Sequence, residues 1–285
     1  MCGIAGFADF KQNSTEEILA AMSCAVPHRG PDGQGTYLAG APGVQIGLGH
    51  RRLSIIDLST AANQPMHFEG LHLIFNGEIY NYSEIRDQLT GLGHAFSTHS
   101  DTEVILHAWK EWGAASIRQW RGMFAIALYD EARQELVCIR DRAGVKPFYY
   151  YWKDGLLLFG SELKSFGAHP GFVRELNPEA AASFLQYGYV SAPHCIYRNA
   201  QKLLPGHLLR LNLRTRALST EQYWNVYDAY NQPKLDVSLP EAIEETERIL
   251  AESFRYRMVA DVPVGVFLSG GYDSTCVTAL LQKDA

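Results

Sequence analysis

The chain has 285 residues, enough for about two domains, with 47% apolar and 20% charged residues; this balance excludes a disordered chain and a disulfide miniprotein. The 25 Lys and Arg against 31 Asp and Glu give a net charge of −6, which argues against nucleic acid or an anionic membrane as the main partner. The cysteines at positions 2, 24, 138, 195 and 276 are odd in number and hold no CxxC pair, so neither a disulfide framework nor a zinc ribbon is indicated. They fit a reducing cytoplasm. The opening MCGIAGFADF has no basic stretch before an apolar one, and no apolar run reaches the ~18–20 residues of a membrane span.

In chain order, residues 44–48, 72–75, 123–129 and 156–159 are short apolar runs bounded by turn residues and predict strands. Residues 83–91 predict a helix with Ile85 and Leu89 on one face. Residues 101–112 predict another, capped by Asp101, with Ile105, Ala108, Trp109 and Trp112 inward. Asn177 and Pro178 are a cap and first position for a helix to about Tyr187. Residues 191–235 change character and predict a connector with a hairpin, including a strand over 208–213. A helix follows from Pro240, then a strand over 262–268, a Gly-rich turn and a helix over 275–282. Strand, Gly-rich turn and helix are the opening of a nucleotide-binding α/β unit. One strand and two helices cannot complete a parallel sheet, so this second domain is expected to be incomplete.

Cys2 follows the initiator Met directly. Removal of Met1 would place a thiol and a free α-amine on one residue. The amine has an unperturbed pKa of about 7.7–8.0 and can serve as base for the thiol without a histidine. Position alone fits an incidental cysteine better. The motifs that follow, in order, are CGIAG at 2–6, HRGPDG at 28–33, GHRRLSI at 49–55, NGEIYN at 76–81 and SDTE at 100–103.

With these motifs the chain resembles the class II glutamine amidotransferases of the glutamine-hydrolysing asparagine synthetase family. The resemblance implies an α+β, four-layer αββα N-terminal nucleophile hydrolase domain over 1–190. The connector would span 191–235, and the start of an α/β ATP pyrophosphatase domain 236–285. Cys2 would attack the side-chain amide of glutamine, and Asn76 and the Gly77 N–H would hold the oxyanion, worth ~3–4 kcal/mol. Arg52 would clamp the substrate carboxylate with its planar two-pronged donor; its place in the RLSI pattern favours it over Arg51. Leu53, Ser54, Ile55 and Ile56 would continue the glutamine-binding loop, and Glu78 and Asp101 would hold the ammonium end. Asn76-Gly77 also fits an ordinary hairpin turn, Gly77 suits a tight turn, and Asp101 can serve as a helix cap. Residues 140–150 and 159–164 match the family too and are read mainly as structural bracing.

Ser269-Gly270-Gly271-Tyr272-Asp273-Ser274 fits the SGGxDS pyrophosphate loop. Glycines let backbone N–H groups curl around phosphate, the serines add donors, and the helix N-terminus favours an anion. Phe267 and Leu268 would meet the adenine side. Asp273 would cap the helix or place Mg²⁺. By resemblance, ATP and Mg²⁺ serve the complete enzyme, and the glutaminase step needs no cofactor. The ammonia would amidate an adenylylated carboxylate, that of aspartate in asparagine synthetase. This chain alone is expected to perform only the glutaminase step. A homodimer is compatible with the sequence. Two other readings stay open: an amidotransferase with a different acceptor carboxylate, and a non-catalytic glutamine-binding module.

Overall fold

The computed structural model describes residues 1–283. Two units are present. The larger comprises Met1–Ser54 and Ser59–Asn225; the smaller comprises Ile55–Leu58 and the chain from Val226 onward.

The larger unit begins with β1 (Gly3–Asp9), α1 (Glu16–Cys24), β2 (Gly33–Ala41), β3 (Val44–Arg52), β4 (Met66–Phe68) and β5 (Leu71–Ile79). Next come α2 (Tyr82–Gly91), α3 (Asp101–Trp112), β6 (Gly122–Asp130), β7 (Glu135–Arg140), β8 (Tyr149–Lys153) and β9 (Leu156–Gly160). It ends with α4 (Leu163–Phe166), α5 (Pro178–Tyr187), β10 (Ala200–Lys202), β11 (His207–Asn212) and β12 (Leu218–Gln222). The strands form two six-stranded sheets, in the orders β10-β8-β9-β1-β3-β2 and β12-β11-β7-β6-β5-β4, and every pairing is antiparallel.

Three apolar clusters define the layers. Ile4 and Ala8 of β1 meet Ala125 and Ala127 of β6 between the sheets. Ala5 and Phe7 of β1 turn the other way and pack with Leu19 and Met22 of α1. Phe124, Ile126 and Leu128 of β6 turn outward to Ile85 and Leu89 of α2 and to Val104, Ile105 and Ala108 of α3. Successive side chains thus enter opposite cores, and strands buried on both faces read as continuous apolar runs. Helices flank both sheets, the α+β arrangement the sequence implied.

The helix of residues 101–112 has the predicted bounds, but its N-cap is Ser100, whose Oγ accepts from Glu103 N–H at 3.2 Å. Asp101 is the first helical residue and spends its carboxylate on β5. Asn177 caps α5, with Pro178 at the first turn. Residues 191–235 contribute β10 to one sheet and the β11–β12 hairpin to the other.

In the smaller unit, α6 (Val226–Tyr230) precedes α7 (Leu239–Tyr256) and α8 (Tyr272–Gln282). Glu241 starts α7 by accepting the Ser238 N–H at 2.8 Å. Residues 262–268, predicted as a strand, pair with no other strand among the described residues. A parallel strand needs neighbours supplied through crossovers, and none is present there. Helix α8 begins at Tyr272, three residues before the predicted start, with Gly271 as N-cap; Asp273 is in the first turn and is not the cap.

Candidate active site

The site is built where β1 begins and where β3 and β5 end. Gly3 pairs with Arg51, so the chain direction brings Cys2 beside Arg52 and Leu53. Leu53 N–H donates to Cys2 Sγ at 3.3 Å, and the thiol reaches Leu53 O at 3.6 Å. Arg29 Nε donates to the Cys2 carbonyl at 2.9 Å, while its Nη1 contacts Glu162 at 3.2 Å. Burial pushes the Cys2 thiol up; the Leu53 N–H, the terminal amine and Arg52 pull it down, and Asp101 pushes it up.

The second wall is the edge of β5 beyond its short partner β4. Phe75 N–H donates to Gln64 Oε1 at 2.6 Å, and Ile79 N–H donates to Asp101 Oδ2 at 2.9 Å. Strand alternation turns the N–H of Gly77, midway between them, to the same edge. Asn76 lies two residues after Ile74, which enters the core between the sheets, so the Asn76 side chain faces the sheet of β1 and β3. His50 of β3 joins the sheets there, its Nε2 bonding Phe75 O at 3.0 Å. Burial pushes His50 down to about 3, which keeps it neutral, so Nε2 carries the donated hydrogen.

Asn76 is 1% exposed, yet neither its amide nitrogen nor its oxygen has a hydrogen-bond partner. Buried amides are ordinarily paired, and this one leaves both its donor and its acceptor unused. Gly77 sits within β5 and not in the tight turn or hairpin the sequence also allowed. A Cβ there would lie 2.1 Å from Met123 O and 2.7 Å from Phe124 Cα, because β6 approaches closely. The glycine is therefore fixed by strand contact.

Burial raises the Asp101 carboxyl to about 7; the Ile79 N–H opposes that rise and Glu78 adds to it. Burial also raises Glu78, against the pull of Lys146 and the terminal amine. Arg52 is 6% exposed, and its Nη1 donates to Ser59 O at 2.7 Å and Asn63 Oδ1 at 2.9 Å. Ser54 N–H donates to Asp32 Oδ2 at 2.9 Å, and Asp32 N–H to Arg52 O at 3.0 Å, fastening this loop to the Arg-Gly-Pro-Asp motif.

Of the predicted glutamine-binding residues, Arg52, Leu53, Ser54, Asn76, Gly77, Glu78 and Asp101 fall in the unit that carries Cys2. Ile55 and Ile56 group with the smaller unit, where Asp261 N–H donates to Ile55 O at 2.9 Å. Sequence reading left Arg29, His50 and Gln64 without site roles. Arg29 and His50 stood inside quoted motifs, whereas Gln64 carried no local signal.

In the smaller unit, Ser269 and Ser274 hydroxyls are 3.0 Å apart, and Ser269 N–H reaches Ser274 Oγ at 3.3 Å. Gly270 has φ +84°, a conformation costly for other residues. The loop thus closes on itself at the N-terminus of α8. Phe267 is 98% exposed, and Leu268 is exposed. Among the described residues no cluster of three or more His, Cys, Asp or Glu side chains could hold a metal. No helix among them is long and apolar enough to cross a membrane.

The glutamine amidotransferase domain family matches residues 1–224, and the asparagine synthase family matches residues 245–285. Glutamine-hydrolysing asparagine synthetase 3 of Bacillus subtilis is 34% identical over 287 residues, covering 98% of this chain and 45% of that protein. Amidase chry2 of Gibberella zeae is 35% identical over 296 residues, covering 99% of this chain and 43% of that protein. A solved structure, the glutamine phosphoribosylpyrophosphate amidotransferase of Bacillus subtilis with ADP and GMP, superposes with a TM-score of 0.57 at 19% identity. The superposition covers 78% of this chain and 49% of that one, and it bears on fold alone. The fold and the matched residues thus define a glutamine amidotransferase domain. The chain belongs to the glutamine amidotransferase domain family, and glutamine-hydrolysing asparagine synthetases are among its relatives. It spans about half the length of the curated relatives it matches, between 38% and 57%.

Proposed function

We propose that the larger unit hydrolyses glutamine to glutamate and ammonia at Cys2. The observation that carries this reading is the buried, unpartnered Asn76 amide, turned toward the sheet that bears Cys2. Once Met1 is removed, the α-amine of Cys2 takes the thiol proton. The sulfur attacks the side-chain carbonyl carbon of glutamine, and the C–O π pair moves onto oxygen. Asn76 Nδ2 and the Gly77 N–H donate to that oxyanion. As the intermediate collapses, the C–N bond breaks and the ammonium returns its proton to the leaving nitrogen, releasing ammonia. Water then cleaves the thioester to glutamate and restores the thiol. Arg52 pairs with the substrate α-carboxylate, and Asp101 and the Glu78 backbone hold its α-ammonium. Leu53 and Ser54 complete the pocket wall.

The smaller unit is proposed to carry the ATP loop of a synthetase domain. Ser269, Gly270, Gly271 and Ser274 fit a pyrophosphate chemically, through two hydroxyls, a left-handed glycine and a helix N-terminus. Phe267 and Leu268 offer apolar surface to the base, and Asp273 would be the carboxylate to help hold Mg²⁺. ATP, when bound, activates an acceptor carboxylate for attack by ammonia, and aspartate is the proposed acceptor. A second acceptor class is favoured by the amidase relative, whose identity matches that of the synthetases. The five free cysteines suit a cytoplasmic setting.

A glutamine-analogue alkylator tests the glutaminase reading. Peptide mass mapping is expected to find one adduct, on Cys2, blocked by excess glutamine. Labelling elsewhere, or labelling indifferent to glutamine, contradicts it.

A further inference from the structure

A cavity of about 330 Å³ lies in the larger unit among the turn that follows β1, the β8–β9 hairpin and the loop after α4. It is at the opposite end of β1 from Cys2: Cys2 precedes the first residue of that strand and Asp9 is the last, a span of roughly 20 Å. The strand register builds the floor. Asp9 pairs with Leu156, and Leu156 pairs with Lys153, so the three stand in one row across β1, β9 and β8 and share a face. Tyr151, two residues before Lys153, leaves β8 on that same face.

The buried polar groups of one wall are already paired. Asp9 Oδ1 accepts the Lys11 N–H at 2.8 Å, and its Oδ2 accepts the Asn13 N–H at 2.8 Å, the Ser14 N–H at 3.0 Å and the Ser14 hydroxyl at 2.8 Å. Gly171 N–H donates to His169 Nδ1 at 3.0 Å, so the ring hydrogen is on Nε2 and donates to Ser14 Oγ at 2.9 Å. Tyr151 is different. It is 0% exposed, its ring stands edge-on to Phe172 at 5.1 Å, and its hydroxyl has no hydrogen-bond partner. Buried hydroxyls are ordinarily paired, and the cavity that Tyr151 lines is where a partner can enter. The ammonium groups of Lys11 and Lys153, also in the lining, make no hydrogen bond or ion pair among the described residues. Leu156 and Val173 supply apolar wall.

We propose that this cavity binds a small organic monocarboxylate: the carboxylate accepts the Tyr151 hydroxyl and is balanced by Lys11 and Lys153, while the hydrocarbon body lies on Leu156 and Val173. The lining fixes the sign of the ligand. Two unpaired ammonium groups stand against one unpaired carboxylate, that of Asp154, and the charge of Asp9 is shared among four donors. The volume is near the lower bound of small-molecule sites, ~300–1,000 Å³, so the ligand is small. A bare inorganic anion would leave Leu156 and Val173 uncovered. The site is independent of the chemistry at Cys2.

The test is saturation-transfer NMR on the whole chain with a series of aliphatic and aryl monocarboxylates of about four to nine carbons, a size set by the cavity, beside their amides and inorganic phosphate at equal ionic strength. Carboxylates in the series are expected to bind, their amides and phosphate are not, and added salt should weaken the binding. Tyr151→Phe is expected to weaken it about tenfold, the loss of a hydrogen bond to a charged group. Lys153→Met is expected to weaken it about threefold. Val173→Trp fills the cavity from an exposed lining position and should abolish binding. No binding by any carboxylate overturns the proposal, and so does equal binding of the amides or of phosphate. Binding that survives Val173→Trp places the ligand elsewhere and also overturns it. If Val173→Trp does not fold, Lys11→Glu decides: an unchanged affinity overturns the site. Tyr151→Phe with the parent affinity would show a hydroxyl that the ligand does not use, against the proposal.

Discussion

The Asp101 carboxylate accepts the backbone N–H of Ile79 at 2.9 Å, tying the first turn of α3 to the edge of β5. Together with Gln64 on Phe75 N–H, it takes the place of a neighbouring strand, and Gly77 lies between the two. The edge is thereby held open at Gly77, whose N–H is the proposed oxyanion donor.

Asn76→Ala is expected to lower kcat by about 10²–10³-fold with a small change in KM. The amide has no partner to lose, so the melting temperature should hold to within a few degrees. Steady-state kinetics beside a thermal melt checks both. A large fall in stability with activity retained would show a structural amide.

Gly77→Ala places a methyl 2.1 Å from the Met123 carbonyl oxygen, against backbone that cannot rotate away. A loss of about 2–3 kcal/mol in denaturant unfolding is expected. A loss below ~0.5 kcal/mol would mean that β5 and β6 part easily.

Asp101 and His50 give opposite pH dependences. Asp101 is raised to about 7 in the folded chain, so the stability it contributes is complete below the unfolded carboxyl value and is lost as pH rises through 7. His50 is lowered to about 3, so its contribution is present above the unfolded imidazole value and is lost as pH falls toward 3. Between about pH 4 and 6.5 the two slopes cancel. Relative to the parent, Asp101→Asn should gain stability with rising pH, by up to about 1.4 kcal/mol per unit, and His50→Gln should lose it. Denaturation series across this range check the signs, and equal slopes in both variants would refute the assignment.

Arg52→Ala is expected to raise the KM for glutamine at least tenfold, with kcat changed far less. Lysine should not restore it, because a single ammonium lacks the planar, multi-donor head that already gives Nη1 to Ser59 and Asn63. A fall in kcat at constant KM would place Arg52 in the chemistry and not in binding.

Much of this was legible because it is local. The periodicity of residues 101–112 gave α3 its bounds, and the doubly buried strands showed as unbroken apolar runs. Cys2, Arg52 and the Asn76–Glu78 run stood out as motifs. What the sequence hid depends on distant partners. Ser100 takes the cap because the Asp101 carboxylate is drawn to Ile79, and Gly77 is a strand residue because β6 presses on it. Residues 262–268 have strand composition without strand partners, and composition cannot supply a neighbour.

Glutamate release from glutamine by the purified chain, measured beside Cys2→Ala with mass confirmation that Met1 is gone, tests the central claim most directly. The account predicts steady release by the parent and none above background by the variant. Equal release by both would remove Cys2 from the reaction, and no release from folded, processed parent would contradict glutamine hydrolysis by this chain.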